Sequence, residues 1–175
     1  MLSGTRLEQT EENRIRHEIP PIYDENSRIL ILGSFPSVKS REGQFFYHHP
    51  QNRFWKVLAA VFEKETVPSS IEEKREFLLT HGIALWDVIA SCEIRGSSDS
   101  SIKNVIPNDL TPILEKADIR RIFCNGGTSY KLYEKYLRGV TGREAVKLPS
   151  TSPANAACSL EKLVLLWNKI GLFVE

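Results

Sequence analysis

RILILGSFPSVKSREGQFFYHHPQNRFWKVL, residues 28–58, changes character twice. It opens with Arg28–Gly33, an unbroken apolar run of strand length, as expected for a strand covered on both faces. Gly33 ends the run, and the chain turns through Ser34, Phe35, Pro36 and Ser37. A loop crowded with Phe45, Phe46, Tyr47, His48 and His49 follows. Pro50, Gln51 and Asn52 then open a helix predicted over Asn52–Glu63, with Phe54, Trp55, Leu58, Ala59 and Phe62 on one side. Connections rarely concentrate so many aromatic and polar groups unless they line a pocket.

The same alternation continues on the C-terminal side. Ser70 to Glu73 reads as a capping box for a helix ending at Gly82. Ile83–Ala90 reads as one buried strand interrupted by a single acid, Asp87. Gly96–Ser101 is a loop, and Asn108 or Asp109 caps a short helix through Lys116. Ile119–Asn125 is a third strand, Gly126-Gly127 turns into a helix over Thr128–Arg138 that Gly139 stops, and Ala145–Leu148 is a fourth strand. After LPSTSPANAA, residues 148–157, a final helix runs from Ala156 to Ile170.

This order predicts an α/β fold: one domain over residues 25–175 with a short four-stranded parallel sheet and helices on both faces. Residues 1–24, polar and closed off by Pro20-Pro21, read as an arm or short helix. Ligands in such sheets bind beyond the carboxyl ends of the strands. GSFPS after the first strand, Asp87, Asn125 and LPSTSP should therefore meet on one rim.

A chain of 175 residues with 41% hydrophobic and 26% charged residues has enough core to bury roughly 70% of its unfolded surface without staples. Its net charge of +1 gives no global basic signature, so any phosphate contact must come from a local cluster. Lys103, Arg120, Arg121, Arg138, Arg143 and Lys147 are the candidates. Cys92, Cys124 and Cys158 lie far apart with no CxxC, which argues against zinc, an iron–sulfur cluster or a disulfide frame, and they read as small core residues. No apolar run reaches membrane-spanning length and the first residues lack an apolar signal core, so the expectation is a cytoplasmic protein that could associate with a nucleoid.

Two rival chemistries compete for the same residues. Gly33 to Ser40 carries the glycine, lysine and serine of GxxxxGK[ST], but Val38 replaces the second glycine and Pro36 removes an N–H from the cradle. No helix is expected before Asn52 to point an N-terminus at a phosphate. His48 and His49 are adjacent and so diverge on extended chain, which is poor geometry for one metal ion. Asn52 is either a helix cap or an amide that holds a water or a substrate edge. Asp87 must be paired, hydrogen-bonded or functional, because burying a lone carboxylate is costly.

Five ordered segments together resemble the uracil-DNA glycosylase superfamily, and within it the hypoxanthine (deoxyinosine) DNA glycosylase branch. They are GSFPS (33–37), FFYHHPQNRFWKVL (45–58), GIALWDVIASCEIRGSSDSSIKN (82–104), IFCNGG (122–127) and LPSTSPANAA (148–157), and the likeness spans nearly all the chain after residue 25. The resemblance implies a DNA-repair enzyme that everts a deaminated purine and hydrolyses its N-glycosidic bond without a cofactor or metal, as a monomer on DNA. It implies Asn52 as the catalytic amide, steering water with its carbonyl, Tyr47 as the stacking platform and Asp87 as reader of the base edge. Gly33, Ser34, Phe35, Pro36, Ser37 and Asn125 would complete the pocket, while Ser150, Ser152, Pro153 and Asn155 would pinch the phosphates. Phe35 stands where relatives carry the water-activating Asp or Asn, and Leu148 replaces the histidine of the second motif, against strong uracil cleavage. The alternatives are a uracil or mismatch glycosylase, and a catalytically weak nucleic-acid-binding member of the superfamily.

Overall fold

The computed structural model describes residues 14–174, so residues 1–13 of the expected arm lie outside the described part. The strands are β1 Arg14–Arg16, β2 Ile29–Gly33, β3 Ile83–Asp87, β4 Ile89–Glu93, β5 Lys103–Pro107, β6 Arg121–Asn125 and β7 Ala145–Leu148. The helices are α1 Val38–Gly43, α2 Phe54–Val61, α3 Ile71–Thr80, α4 Thr111–Lys116, α5 Gly127–Tyr136, α6 Arg138–Thr141 and α7 Leu160–Trp167.

Four strands form the expected parallel sheet, in the order β3-β2-β6-β7. The alternation along β2 explains why helices must cover both faces. Ile29 and Ile31 enter a core shared with Phe54, Leu58, Leu78, Leu163 and Trp167, which come from α2, α3 and α7. Leu30 and Leu32 enter a second core with Ile113 of α4 and Tyr133 of α5. All five β2 residues are buried, each large apolar side chain contributing about 1.5–3 kcal/mol. Cys92, Cys124 and Cys158 are buried free thiols within this packing.

A second, antiparallel sheet in the order β1-β4-β5 was not foreseen. The apolar run Ile83–Ala90 is two strands in two sheets, with Val88 alone between them. The Val88 N–H donates to the Gly33 carbonyl at 2.8 Å and the Ile89 N–H to that of Ser34 at 3.1 Å, which turns the chain out of the parallel sheet. Hydrophobicity alone does not record which sheet a buried strand joins. Strand β5 is mostly exposed and carries no apolar pattern. Residues 14–24 are part of the body rather than loose: β1 pairs with β4, and Ile19 and Ile22 are buried in the first core.

Helix ends also differ from the expectation. α1 is present because the Ser37 hydroxyl caps it, accepting from the Ser40 N–H at 3.2 Å. Gly139 sits inside α6, and the stop comes at Gly142, where φ is +67° and a side chain would be strained. α7 starts at Leu160 because the Ser159 hydroxyl caps it, and a 3₁₀ turn carries the chain on through Phe173. Ser70 caps α3, accepting from the Glu73 N–H at 3.0 Å, and the Glu73 carboxylate reaches back to the Ser69 N–H at 3.1 Å and to the Ser70 N–H. Asp109 accepts from the Thr111 N–H at the start of α4, while the Asn108 amide donates to the Asp87 carbonyl at 2.9 Å.

Candidate active site

The carboxyl ends of β2, β3 and β6 and the segment after β7 border one cavity of about 310 Å³, within the small-molecule range of roughly 300–1,000 Å³. Ser34, Phe35, Pro36, Ser37, Tyr47, Asn52, Asp87, Asn125, Ser150 and Ser152 all line it, so the expected convergence holds.

Its deep end is built around Gly33. A Cβ there would collide with Asp87 Oδ1 and stand 3.0 Å from Tyr47 Oη, so only glycine lets the carboxylate and the phenol close over β2. Gly33 is thus a clearance rather than a contact surface. Asp87, 3% exposed, is the register partner of Gly33. Its Oδ2 has no hydrogen-bond partner among the described residues, and His17 Nε2 stands 3.8 Å away. That nitrogen instead pairs with the Ile89 carbonyl at 2.8 Å. Burial pushes the Asp87 carboxyl up to about 7 and pulls the His17 imidazole below its ordinary range. Asp87 is neither a satisfied structural acid nor a locked ion pair.

Tyr47 holds a left-handed backbone, φ 51°, unusual for a bulky side chain and a mark of functional sites. One face of its ring stacks on Phe54 at 4.0 Å with an interplanar angle of 23°, and the residue borders the cavity. Its buried hydroxyl has no well-formed hydrogen bond among the described residues, with the Asn125 amide its polar neighbour. Burial first, and then the neighbouring Asp87, push its ionisation far above the usual phenol range. Asn125 lies nearby, but both ends of its amide bond to Thr151: Nδ2 donates to Oγ1 and Oδ1 accepts from the N–H, each at 3.0 Å. Phe35 and Pro36 form a wall, with the Phe35 ring edge-on to His17 at 5.3 Å.

Asn52 joins this network differently from the expectation. Its Oδ1 accepts from the Phe54 N–H and from Thr151 Oγ1–H, each at 2.9 Å. The N-cap position of α2 is Arg53, so Asn52 stands one residue before the cap and takes up the first helical N–H from there. Both lone pairs of its carbonyl are occupied, so that oxygen is not available to steer a water. Nδ2 is the group left to face the cavity as a donor.

The segment after β7 is held in shape by its own polar groups. Ser150 and Ser152 hydroxyls accept from the Ser152 and Ala154 N–H groups at 3.1 and 3.2 Å, which leaves their protons to donate. The Asn155 amide is committed to the Ser150 carbonyl at 3.0 Å, and Pro153 is exposed beside it. Arg53 fixes the whole turn: its guanidinium donates to the Ser152 and Asn155 carbonyls at 3.0 Å and to that of Cys158. Gly126, at φ +99°, has a Cβ position only 3.0 Å from Ser150, so the turn after β6 nests against this segment.

The sequence profile of the Uracil DNA glycosylase superfamily matches residues 20–170. The chain belongs to that superfamily. Two similar curated proteins are named Hypoxanthine DNA glycosylase. The one from Methanosarcina acetivorans is 37% identical over 81% of this chain and 89% of its own length. The one from Methanosarcina barkeri is 34% identical over 78% and 85%. A solution NMR structure from M. acetivorans, titled as a candidate uracil DNA glycosylase, superposes with a TM-score of 0.77 at 34% identity and covers 91% of this chain and 98% of that one.

Within this superfamily member, several participants escaped the sequence reading. Thr151 is fully buried at the centre of the Asn125–Asn52 network, His17 comes from the expected arm, and Asp99 borders the cavity from the loop expected over Gly96–Ser101. Only the pattern LPST hinted at Thr151, and nothing marked the other two. Of the six candidate cations, Lys147 borders a shallow depression beside Ser150. Arg120 and Arg121 lie at the amino end of β6 and Arg143 precedes β7, at the opposite end of the sheet. Arg138 is paired with Glu134 and Glu144. Lys103 stands in β5, beside a different depression.

The phosphate-loop objection based on a missing helix fails, since α1 starts at Val38. The site is nevertheless taken: the Val38 N–H donates to Ser97 Oγ, and Lys39 faces Glu42 in solvent. His49 Nδ1 accepts from the Gln51 N–H, a structural role. Among the described residues no group of three or more His, Cys, Asp or Glu could hold a metal ion, and no helix is long and apolar enough to cross a membrane.

Proposed function

We propose that the chain is a DNA glycosylase that everts a deaminated purine, hypoxanthine from deoxyinosine, and hydrolyses its N-glycosidic bond to leave an abasic site. The relatives named Hypoxanthine DNA glycosylase support this reading. The observation that carries it is the meeting of the Tyr47 ring with the buried Asp87 carboxylate in a cavity that Asn52 also borders. One chain completes that cavity, so the reading needs no second copy.

A base inside the duplex is out of reach, and everting it costs a few kcal/mol. Stacking on Tyr47 returns about 1–3 kcal/mol. In its ionised form, which fills in as pH rises through about 7, Asp87 accepts hydrogen bonds from hypoxanthine N–H groups and disfavours the carbonyl-rich edge of uracil. Asn52, its carbonyl held by Phe54 and Thr151, donates from Nδ2 to a ring acceptor of the departing purine. Negative charge gathers on that purine as the bond opens through an oxocarbenium-like sugar. Ser150, Ser152 and Lys147 lie along the rim as phosphate donors.

The test is a panel of oligonucleotides bearing inosine, uracil opposite guanine, or thymine opposite guanine, as single and double strands, with abasic sites nicked by alkali. Inosine strands are expected to be cut fastest. Cleavage of uracil strands with intact inosine strands would overturn the base assignment. Tight binding to inosine DNA with no abasic product at enzyme excess would favour a binding module.

A further inference from the structure

Two carboxylates border the cavity, and they stand at different depths. Asp87 is 3% exposed at the foot, whereas Asp99 is an exposed residue in the 3₁₀ turn Asp99–Ser101. Its Oδ1 accepts from Ser34 Oγ at 3.3 Å, and the Thr128 hydroxyl also lies within reach. Asp99 also borders the neighbouring depression with Gly127, Lys147 and Ser150. It therefore occupies the ridge between the slot that takes the base and the surface where the strand would run. The bond to be hydrolysed joins those two parts of the substrate.

The hydrolysis needs an acceptor for the proton of water, and the candidates reduce quickly. The Asn52 carbonyl is filled, Phe35 has no polar atom, and Asp87 is at the base edge. The hydroxyls of Ser97, Ser98 and Ser100 are not bases at neutral pH. Resting on the glycosylase reading above, we infer that Asp99 is a catalytic residue that holds the attacking water and accepts its proton. The water oxygen bonds to C1′ as the C1′–N bond breaks. The bonding pair leaves with the base, which takes a proton from solvent, and Asp99 returns its own proton to solvent. Asp99 in its ionised form also faces the cationic sugar across the slot and stabilises it. Partial desolvation holds this carboxyl above its ordinary range while the Ser34 and Thr128 hydroxyls pull the other way, and Tyr47, Asp87 and Lys147 are the other titratable groups bordering the two depressions it touches.

Single-turnover excision and equilibrium DNA binding are measured for the wild type, Asp99→Asn and Asp99→Gly, using whichever base the wild type removes. Asp99→Asn is expected to cut the rate about 10²-fold while leaving DNA affinity within about threefold. Added formate is expected to restore at least tenfold to Asp99→Gly, which a role in loop shape would not produce. A rate for Asp99→Asn within threefold of wild type would overturn the inference. So would a lost rate that tracks lost affinity and is not rescued. Wild-type excision of uracil alone would defeat the substrate reading and still judge Asp99 on the uracil strand.

Discussion

The two ends of the Asn52 amide can be separated by mutation. Asn52→Asp keeps an oxygen for the Phe54 N–H and Thr151 hydroxyl but loses the Nδ2 donor, whereas Asn52→Ala loses both. Asn52→Asp should melt within a few degrees of wild type and excise about 10²–10³-fold more slowly. Asn52→Ala should show the same loss of rate plus about 1–3 kcal/mol of stability from the hydrogen bonds to the Phe54 N–H and Thr151 hydroxyl. Thermal melts beside single-turnover rates check both. Wild-type rates in Asn52→Asp would return the side chain to a purely structural role.

Among elements, the tie between α2 and the segment after β7 matters most. Arg53 spends its guanidinium on three carbonyls of that segment, and its own N–H donates to the Thr151 carbonyl at 3.1 Å. Arg53→Met keeps the apolar stem and removes the fork. It should speed hydrogen exchange at the amides of residues 152–158 and weaken DNA binding about tenfold, with the Tyr47 stack on Phe54 intact. Unchanged exchange in those amides would refute the clamp. How much of this was legible follows from the kind of signal each part leaves. The parallel sheet showed because β2 and β6 are buried enough to read as apolar runs. The rim chemistry at Tyr47, Asp87 and Asn125 showed because polar groups stand out beside such runs. β1, β5 and α1 did not show: they are short, partly exposed and held by caps and ladder pairing rather than by a hydrophobic face. The roles of His17 and Asp99 depend on what lies opposite them in space, which spacing along one chain does not encode.

For the molecule as a whole, the buried Asp87 proton links stability to pH. Its carboxyl titrates near 7 in the fold against 3.8 in the ordinary state. Between those values the folded chain holds a proton that the unfolded chain has released, so stability falls as pH rises through that window. His17, pulled below 6.5, acts in the opposite sense, losing stability as pH falls. The difference between wild type and Asp87→Asn isolates the first contribution. Asp87→Asn should gain on wild type from pH 5 to pH 8 by on the order of 2–4 kcal/mol, followed by denaturant titration at each pH. A constant gap across that range would mean that Asp87 is ionised throughout.

The placement of the arginines has a kinetic consequence. Arg120, Arg121 and Arg143 crowd the far end of the sheet, while the mouth of the slot is rimmed largely by serines. With no Lys or Arg among the residues lining that slot and Arg41 stacked behind Phe35, undamaged duplex should be held weakly and released quickly. The search should then proceed by many brief landings rather than long slides, with residence time set by whether a base drops out of the helix and not by the pull of the backbone.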